Sequence, residues 1–293
     1  MPGYALPDGV TLKNLVGATN REALEAIESD YVSARALALE LGAGPIGQFD
    51  AAHLKAIHRH LFQDLFEWAG RTRDERVRLS DGTIATEPSL RKPGGKPFLR
   101  GPAIPAALDA LAAKLSDAGH LRGLSRARFA VGAADIMASL NAVHPFREGN
   151  GRTQRAFVQA IATAAGHRLH FSPVSRESMI RASIAAHEHG DRSMMRRMFD
   201  EISDPARVEI LRRGLAALDK AGFAWNDRYV AAIQPGHAVD LVLAGIAGNQ
   251  FMARTRNEIL FGNTTELPTP WPQPGETFRL PAAPALDEQD DVN

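Results

Sequence analysis

Twelve residues, His144-Pro-Phe-Arg-Glu148-Gly149-Asn150-Gly151-Arg152-Thr-Gln-Arg155, run out of one helical pattern into another and carry the densest chemistry in the chain. Gly149 and Gly151 allow positive φ and let a ligand press against main-chain N–H groups around Asn150. Those amides, with the positive end of the following helix dipole, make an anion site. Arg152 and Arg155, spaced i, i+3, project over the same site. Cations at a helix N-terminus oppose its dipole, and a bound polyphosphate supplies the reason for placing them there. A carboxylate at Glu148 would be repelled by phosphates unless a divalent cation lay between. One carboxylate with phosphate oxygens and water is the usual way Mg²⁺ is held. His144 is then a candidate base for a hydroxyl attacking phosphorus. Phe146 is expected to turn inward as an anchor. Singly, these residues read as a helix cap, a turn and a solvated face; their coincidence within one short run is what argues for a site.

Helical patterns flank this run. Thr19 and Asn20 open a periodic stretch ending near Gly42, with Glu22 placed as in a capping box. A second runs from Asp50 to Trp68 with Leu54, Ile57, Leu61 and Leu65 on one stripe and Gly70 as its C-cap. Further helices are expected at about 105–116, 125–143, 151–165, 176–187, 192–202 and 205–221. Residues 72–104 break the pattern: they are rich in glycine and proline, and Val77 and Leu79 ahead of Asp81-Gly82 read as half of a β-hairpin. Irregular insertions of this length are uncommon without a role. After about residue 224 short apolar runs alternate with turn signals at Gly245, Gly248-Asn249 and Gly262-Asn263, which reads as a small antiparallel β unit. The chain is therefore expected to be mainly α, with an N-terminal helical extension (1–49), a helical core (50–203) with a β-hairpin at about 76–98, and a connecting helix and linker (204–235). A small β unit (236–267) and a disordered, acidic tail (268–293) complete it.

Bulk properties exclude several classes. Lysine plus arginine equals aspartate plus glutamate at 34 each, so no global field draws the chain to nucleic acid or anionic lipid. Cysteine is absent, which removes disulfides, thiolate metal sites and a cysteine nucleophile. The N-terminus lacks a basic n-region and an apolar h-region, and no stretch approaches the roughly 20 apolar residues of a membrane span, so a soluble protein is expected. A signal for a specialised secretion system escapes this test.

The run His144-x-Phe146-x-Glu148-Gly149-Asn150-Gly151-Arg152-x-x-Arg155 resembles the signature of Fic-domain (Fic/Doc) proteins at every defined position. The helix ending in Trp68-Ala69-Gly70 and the segment Gly190-Asp191 are similar to flanking features of that family, so the resemblance covers roughly residues 50–202. It implies a Fic-type helical domain and a protein adenylyltransferase, moving AMP from ATP to a Ser, Thr or Tyr hydroxyl of a target protein. By the same resemblance His144 is the base and Glu148 holds Mg²⁺. Gly149, Asn150 and Gly151 bind phosphates through backbone and side chain, while Arg152 and Arg155 contact the outer phosphates. The hairpin becomes a flap that pairs with an extended segment of the target; here it is longer and more glycine-rich than is usual in the family. Alternatives are transfer of another nucleotide or phosphate-bearing group, or a catalytically silent target-binding module.

Many Fic proteins carry an inhibitory helix with (Ser/Thr)-x-x-x-Glu-(Gly/Asn), whose glutamate meets the second motif arginine. Thr19 and Ser29 lack a glutamate four residues on, so no such helix is expected. This resembles members restrained by a separate small antitoxin chain, or effectors controlled otherwise. A small β domain after the core is similar to bacterial type IV secretion effectors and related toxins, which implies an oligonucleotide/oligosaccharide-binding-like fold without nucleic-acid binding, since the segment is not basic. It also implies a bacterial cytoplasmic origin with translocation into a host or recipient cell. The acidic ending suggests a chain that continues into a further domain.

Overall fold

The computed structural model describes residues 3–234 and 240–280. The chain divides into two compact units, Met1–Leu169 with Ala185–Arg192, and His170–Ile184 with Ser193–Asn293.

The first unit is built from α1 (Arg21–Glu40), α2 (Ala51–Phe62), α3 (Ala103–Asp117), α4 (Arg126–Val143) and α5 (Asn150–Ala164). The cap of α1 is Asn20, whose side chain accepts from the Ala23 N–H, so the expected Thr19/Glu22 box does not form. Asp50 caps α2 by accepting from His53 N–H at 2.8 Å. The buried stripe of α2 includes Leu54, Ile57 and Leu61 as expected. The helix stops at Phe62, short of Trp68, because Phe62, Phe66 and Trp68 all turn into the core, with Phe66 stacked on Trp68 at 4.4 Å. Leu65 is fully buried in that turn. The hairpin consists of β1 (Val77–Arg78) and β2 (Ile84–Ala85), antiparallel and joined through Asp81-Gly82 with Gly82 at φ 82°. Among the described residues no helix is long and apolar enough to cross a membrane.

The second unit contains α7 (Ser193–Ser203), α8 (Pro205–Lys220) and a five-stranded sheet; α6 (Arg176–His189) precedes α7 in the chain. Sheet order is β3 (Tyr229–Ala232), β6 (Glu258–Asn263), β5 (Gln250–Arg254), β4 (Leu241–Ala247), β7 (Thr277–Phe278). The expected antiparallel meander is β4–β5–β6, with a register shift between Leu243 and Gly245. Two strands lie outside the expected β unit. β3, in a stretch read as linker, pairs parallel with β6; β7, in a stretch read as disordered tail, pairs with β4 and buries Phe278. Residues 236–239 of the expected unit and the acidic end of the tail lie outside the described residues. One sheet face packs Leu241, Leu243, Phe251 and Leu260, while Phe261, Val230 and Ala232 pack on Leu211 and Leu215 of α8. Gly214 permits that approach: a Cβ there would sit 2.5 Å from the Phe261 ring.

Glu201 is buried beside Arg197 at 3.2 Å, and burial pushes its carboxyl up to about 7 against the pull of that arginine. The folded value exceeds the ordinary 4.5, so the native state keeps a proton that the unfolded chain releases, and stability falls as pH rises through this window. Glu201→Gln is expected to remove the slope. Thermal denaturation should show the Tm difference moving in the variant's favour by several degrees between about pH 5 and about pH 8; a difference constant with pH would contradict it.

Candidate active site

The helix–turn–helix from α4 to α5 sets the geometry of the motif. His144 caps α4 in the left-handed region, φ 48°, with its N–H donating to Leu140 O at 2.9 Å. A non-glycine residue held there marks a conformation imposed by its surroundings. The imidazole stacks on Phe98 from the flap's return limb, centroids 3.9 Å apart and planes 10° off parallel. Burial, reinforced by the positive charges of Lys92 and Arg73, pushes its pKa down to about 3, so the ring is neutral at physiological pH. A neutral imidazole is the form that accepts a proton.

The loop between the helices is closed from inside. Phe146 is buried and stacks on His58 at 3.9 Å. Its N–H donates to Asn150 Oδ1 at 2.9 Å, and Asn150 Nδ2 donates back to Phe146 O at 2.8 Å. The Asn150 side chain thus ties the loop together, which leaves its backbone N–H as the group available to a ligand. Gly149 opens α5 at φ 78°, and a Cβ there would sit 2.3 Å from the Phe62 ring. Gly151 has ordinary φ and open space around it. The Gly149 N–H donates to Glu148 Oε1 at 2.8 Å, and Glu148 Oε2 makes no hydrogen bond among the described residues.

The two arginines differ. Arg152 pairs with Glu28 of α1, lies 3.4 Å from Glu148, and sits 4.9 Å over the Phe62 ring. Glu28 is itself buried, and burial raises its carboxyl despite Arg152. Arg155 is half-buried and its side chain has no hydrogen bond or ion pair among the described residues; burial and the neighbouring Arg152 lower its proton affinity. A cavity of about 690 Å³ lies here, lined by Leu24, Glu28, Arg147, Glu148, Arg152 and Arg155. That volume is within the range of nucleotide-sized ligand sites.

Three residues outside the motif fix it from behind, and sequence reasoning did not single them out. His58, fully buried, accepts from Gly70 N–H at Nδ1 (2.8 Å), which leaves the proton on Nε2 to donate to Glu148 O at 3.1 Å. Burial holds its pKa at about 3, consistent with that neutral tautomer. Arg73, also fully buried, donates to His144 O at 2.8 Å, to Glu87 O and Pro88 O at 3.2 and 3.0 Å, and to Leu99 O. One guanidinium therefore joins the His144 turn to both limbs of the hairpin segment. Glu28 is the third. The Trp68-Ala69-Gly70 signal marked this neighbourhood without assigning either hydrogen-bonding role.

A sequence model of the Fic/DOC family matches residues 48–162. Over 96% of each chain, the structure superposes on a type IV secretion system effector protein, BepA, with TM-score 0.86 and 34% identity. The chain belongs to the Fic/DOC family. It is also 36% identical, over 97% of its length, to a protein of Bartonella henselae named protein adenylyltransferase, of which it covers 53%. It thus spans about half the length of that curated relative. A third likeness is the BepC protein of Bartonella tribocorum, solved with bound AMPPNP: 38% identity, TM-score 0.66, covering 69% of this chain and 96% of that one. The Fic/DOC fold accounts for the mainly helical core, and a small sheet region follows it.

Proposed function

We propose that this Fic/DOC chain transfers AMP from ATP to a Ser, Thr or Tyr hydroxyl of a target protein. The observation that carries the reading is a half-buried, neutral His144 beside a helix N-terminus that carries Arg152 and Arg155, the latter with no side-chain partner among the described residues. It is supported by relatives named protein adenylyltransferase and by a relative solved with AMPPNP. In this reading the α5 amides and Arg155 bind the phosphates. The target hydroxyl gives its proton to His144 as its oxygen bonds the α-phosphorus, and the bond to the β-phosphate's bridging oxygen breaks, releasing pyrophosphate. Glu148 suits a magnesium ion, since one carboxylate oxygen is free to ligate while the other is held by the loop. Bound Mg²⁺ would neutralise charge on the α- and β-phosphates.

Incubation with ATP labelled at the α-phosphorus, Mg²⁺ and a cell lysate tests this. Label on protein is expected; label only from γ-labelled ATP sinks it. Arg73→Lys keeps the charge but loses the fork of donors. It is expected to lower turnover by about 10²-fold through misplacement of His144, with little change in the ATP dissociation constant. Equal losses in both would deny Arg73 that positioning role.

The target's extended segment pairs with the flap in this reading. We read restraint as coming from a separate small antitoxin chain: Glu28 is spent on Arg152, while Arg155 stays open in the α1-side cavity. Relatives described as type IV secretion effectors support translocation from the bacterial cytoplasm into another cell.

A further inference from the structure

The flap carries a charge imbalance within an otherwise balanced chain. Residues 76–98 hold five basic side chains, Arg76, Arg78, Arg91, Lys92 and Lys96, against two acids, Asp81 and Glu87. Both acids are already paired, Asp81 with Lys13 at 2.6 Å and Glu87 with Arg147 at 2.5 Å. Lys96 is used as well, its ammonium and backbone N–H meeting the carbonyl and carboxylate of Glu188. The side chains of Arg76, Arg78, Arg91 and Lys92 are exposed and make no hydrogen bond or ion pair among the described residues. Solvated surface cations of this kind are common, so charge alone decides nothing.

Three placements give these cations a direction. Lys92 lies near enough to His144 to disfavour its protonation, and Phe98 from the same limb stacks on that ring. The positive surface therefore borders the reacting group. Next, Leu79 N–H donates to Thr83 O at 2.9 Å, which fixes the alternation of the hairpin. Residues 76, 78 and 80 then share one face of the strand, and their backbone groups turn to its outer edge. Finally, that edge already takes a carboxylate. Ser80 donates from its N–H to Glu67 Oε2 at 2.8 Å and from Oγ to Glu67 Oε1 at 2.7 Å. An acid thus occupies one position of an edge whose next two outward residues are free arginines.

We propose that the flap selects a protein segment bearing carboxylates at alternate positions around the target hydroxyl, read by Arg76 and Arg78 along the outer edge of β1 and by Lys92 beside His144. This rests on the reading of the chain as a transferase acting on protein hydroxyls and specifies the chemistry of its substrate. An extended segment laid along that edge places its alternate side chains about 5 Å from Arg76 and Arg78, close enough for ion pairs. The bound segment would also bring negative charge toward Lys92.

The test measures binding by the full chain apart from transfer. Fluorescein-labelled Glu-Val-Glu-Thr-Glu-Val-Glu and its Gln-for-Glu and Lys-for-Glu counterparts are titrated by anisotropy in the presence of AMPPNP. The acidic peptide is expected to bind at least about tenfold more tightly than the Gln peptide at about 50 mM salt, and the advantage should shrink at about 300 mM. Arg78→Glu and Lys92→Glu should each erase most of that preference, while Arg212→Glu, an equal charge change in the other unit, should not. Equal or absent affinity for all three peptides overturns the proposal. So does indifference to Arg78→Glu and Lys92→Glu, or equally tight, equally sensitive binding of an oligouridylate. Labelling of lysate proteins from α-labelled ATP is followed in parallel: its absence with peptide preference intact refutes the transferase reading and leaves the acidic-segment surface standing.

Discussion

His144→Ala is expected to abolish AMP transfer, by about 10² to 10⁴-fold, while the affinity for ATP changes by no more than about twofold. In the proposed mechanism the imidazole acts on the incoming hydroxyl rather than on phosphate. It lies at the C-terminal end of α4, where helix carbonyls rather than amides collect, and its ring is stacked on Phe98. In the proposed reading, phosphate binding belongs instead to the N-terminus of α5 and to Arg155. Arg155→Ala should accordingly raise the ATP dissociation constant by about 10 to 100-fold through loss of a charge-assisted contact, and its turnover defect should be partly recovered at saturating ATP. Calorimetry with AMPPNP and transfer assays with α-labelled ATP separate the two. If both variants lost ATP affinity equally, the division of roles would be wrong. A second consequence follows from the depressed pKa of His144. The ring is neutral in the folded protein and charged in the unfolded chain below about pH 6.5, so its burial costs stability increasingly as pH falls through that value. The alanine variant should therefore lose less stability on acidification than the wild type.

The motif was legible because its chemistry is local. The base, metal-holding carboxylate, phosphate-binding amides and cations that the proposed reaction needs must converge within a few ångströms, and a turn between two helices delivers candidates for all of them from adjacent sequence. Legibility ended where convergence is long-range. Glu28 reaches Arg152 across 124 residues, and His58 reaches the Glu148 carbonyl across 90. Neither partner announces itself: on α1 and α2 each reads as one more side chain on a helical stripe. Arg73 is hidden for another reason, since an arginine in a glycine- and proline-rich stretch reads as solvated surface. Its burial becomes intelligible only when five carbonyls are seen to surround it. The sheet shows the same limit. β4, β5 and β6 alternate and are punctuated by turns, but β3 is buried at all four positions and so lacks alternation, while β7 has two residues. Asn150 is an instructive partial case: its position in the loop was expected, yet its amide closes the loop on Phe146 rather than standing free for phosphate.

The paired substitutions Gly149→Ala and Gly151→Ala should separate glycine required by the fold from glycine required by a ligand. At Gly149 both conformation and space forbid a side chain: φ is 78°, and a Cβ would stand 2.3 Å from Phe62, itself fully buried and unable to move aside. Left-handed backbone costs an alanine roughly 1–2 kcal/mol, and the clash adds overpacking strain of about 1–3 kcal/mol. A Tm drop of several degrees is expected, with nucleotide affinity falling as the loop shifts. Gly151 presents the opposite case. It lies in the first turn of α5 with ordinary φ and nothing within 4 Å of a Cβ, so alanine should stabilise the helix by about 0.5–1 kcal/mol. The fold gives no reason for glycine there; the proposed close approach of a phosphate to the backbone would supply one. Gly151→Ala is therefore expected to raise Tm while weakening AMPPNP binding by about tenfold or more, two effects of opposite sign from one methyl group. Differential scanning calorimetry and isothermal titration on the same samples read both. A stabilised variant with undiminished nucleotide affinity would move the phosphates away from this helix N-terminus and, with them, the site built around it.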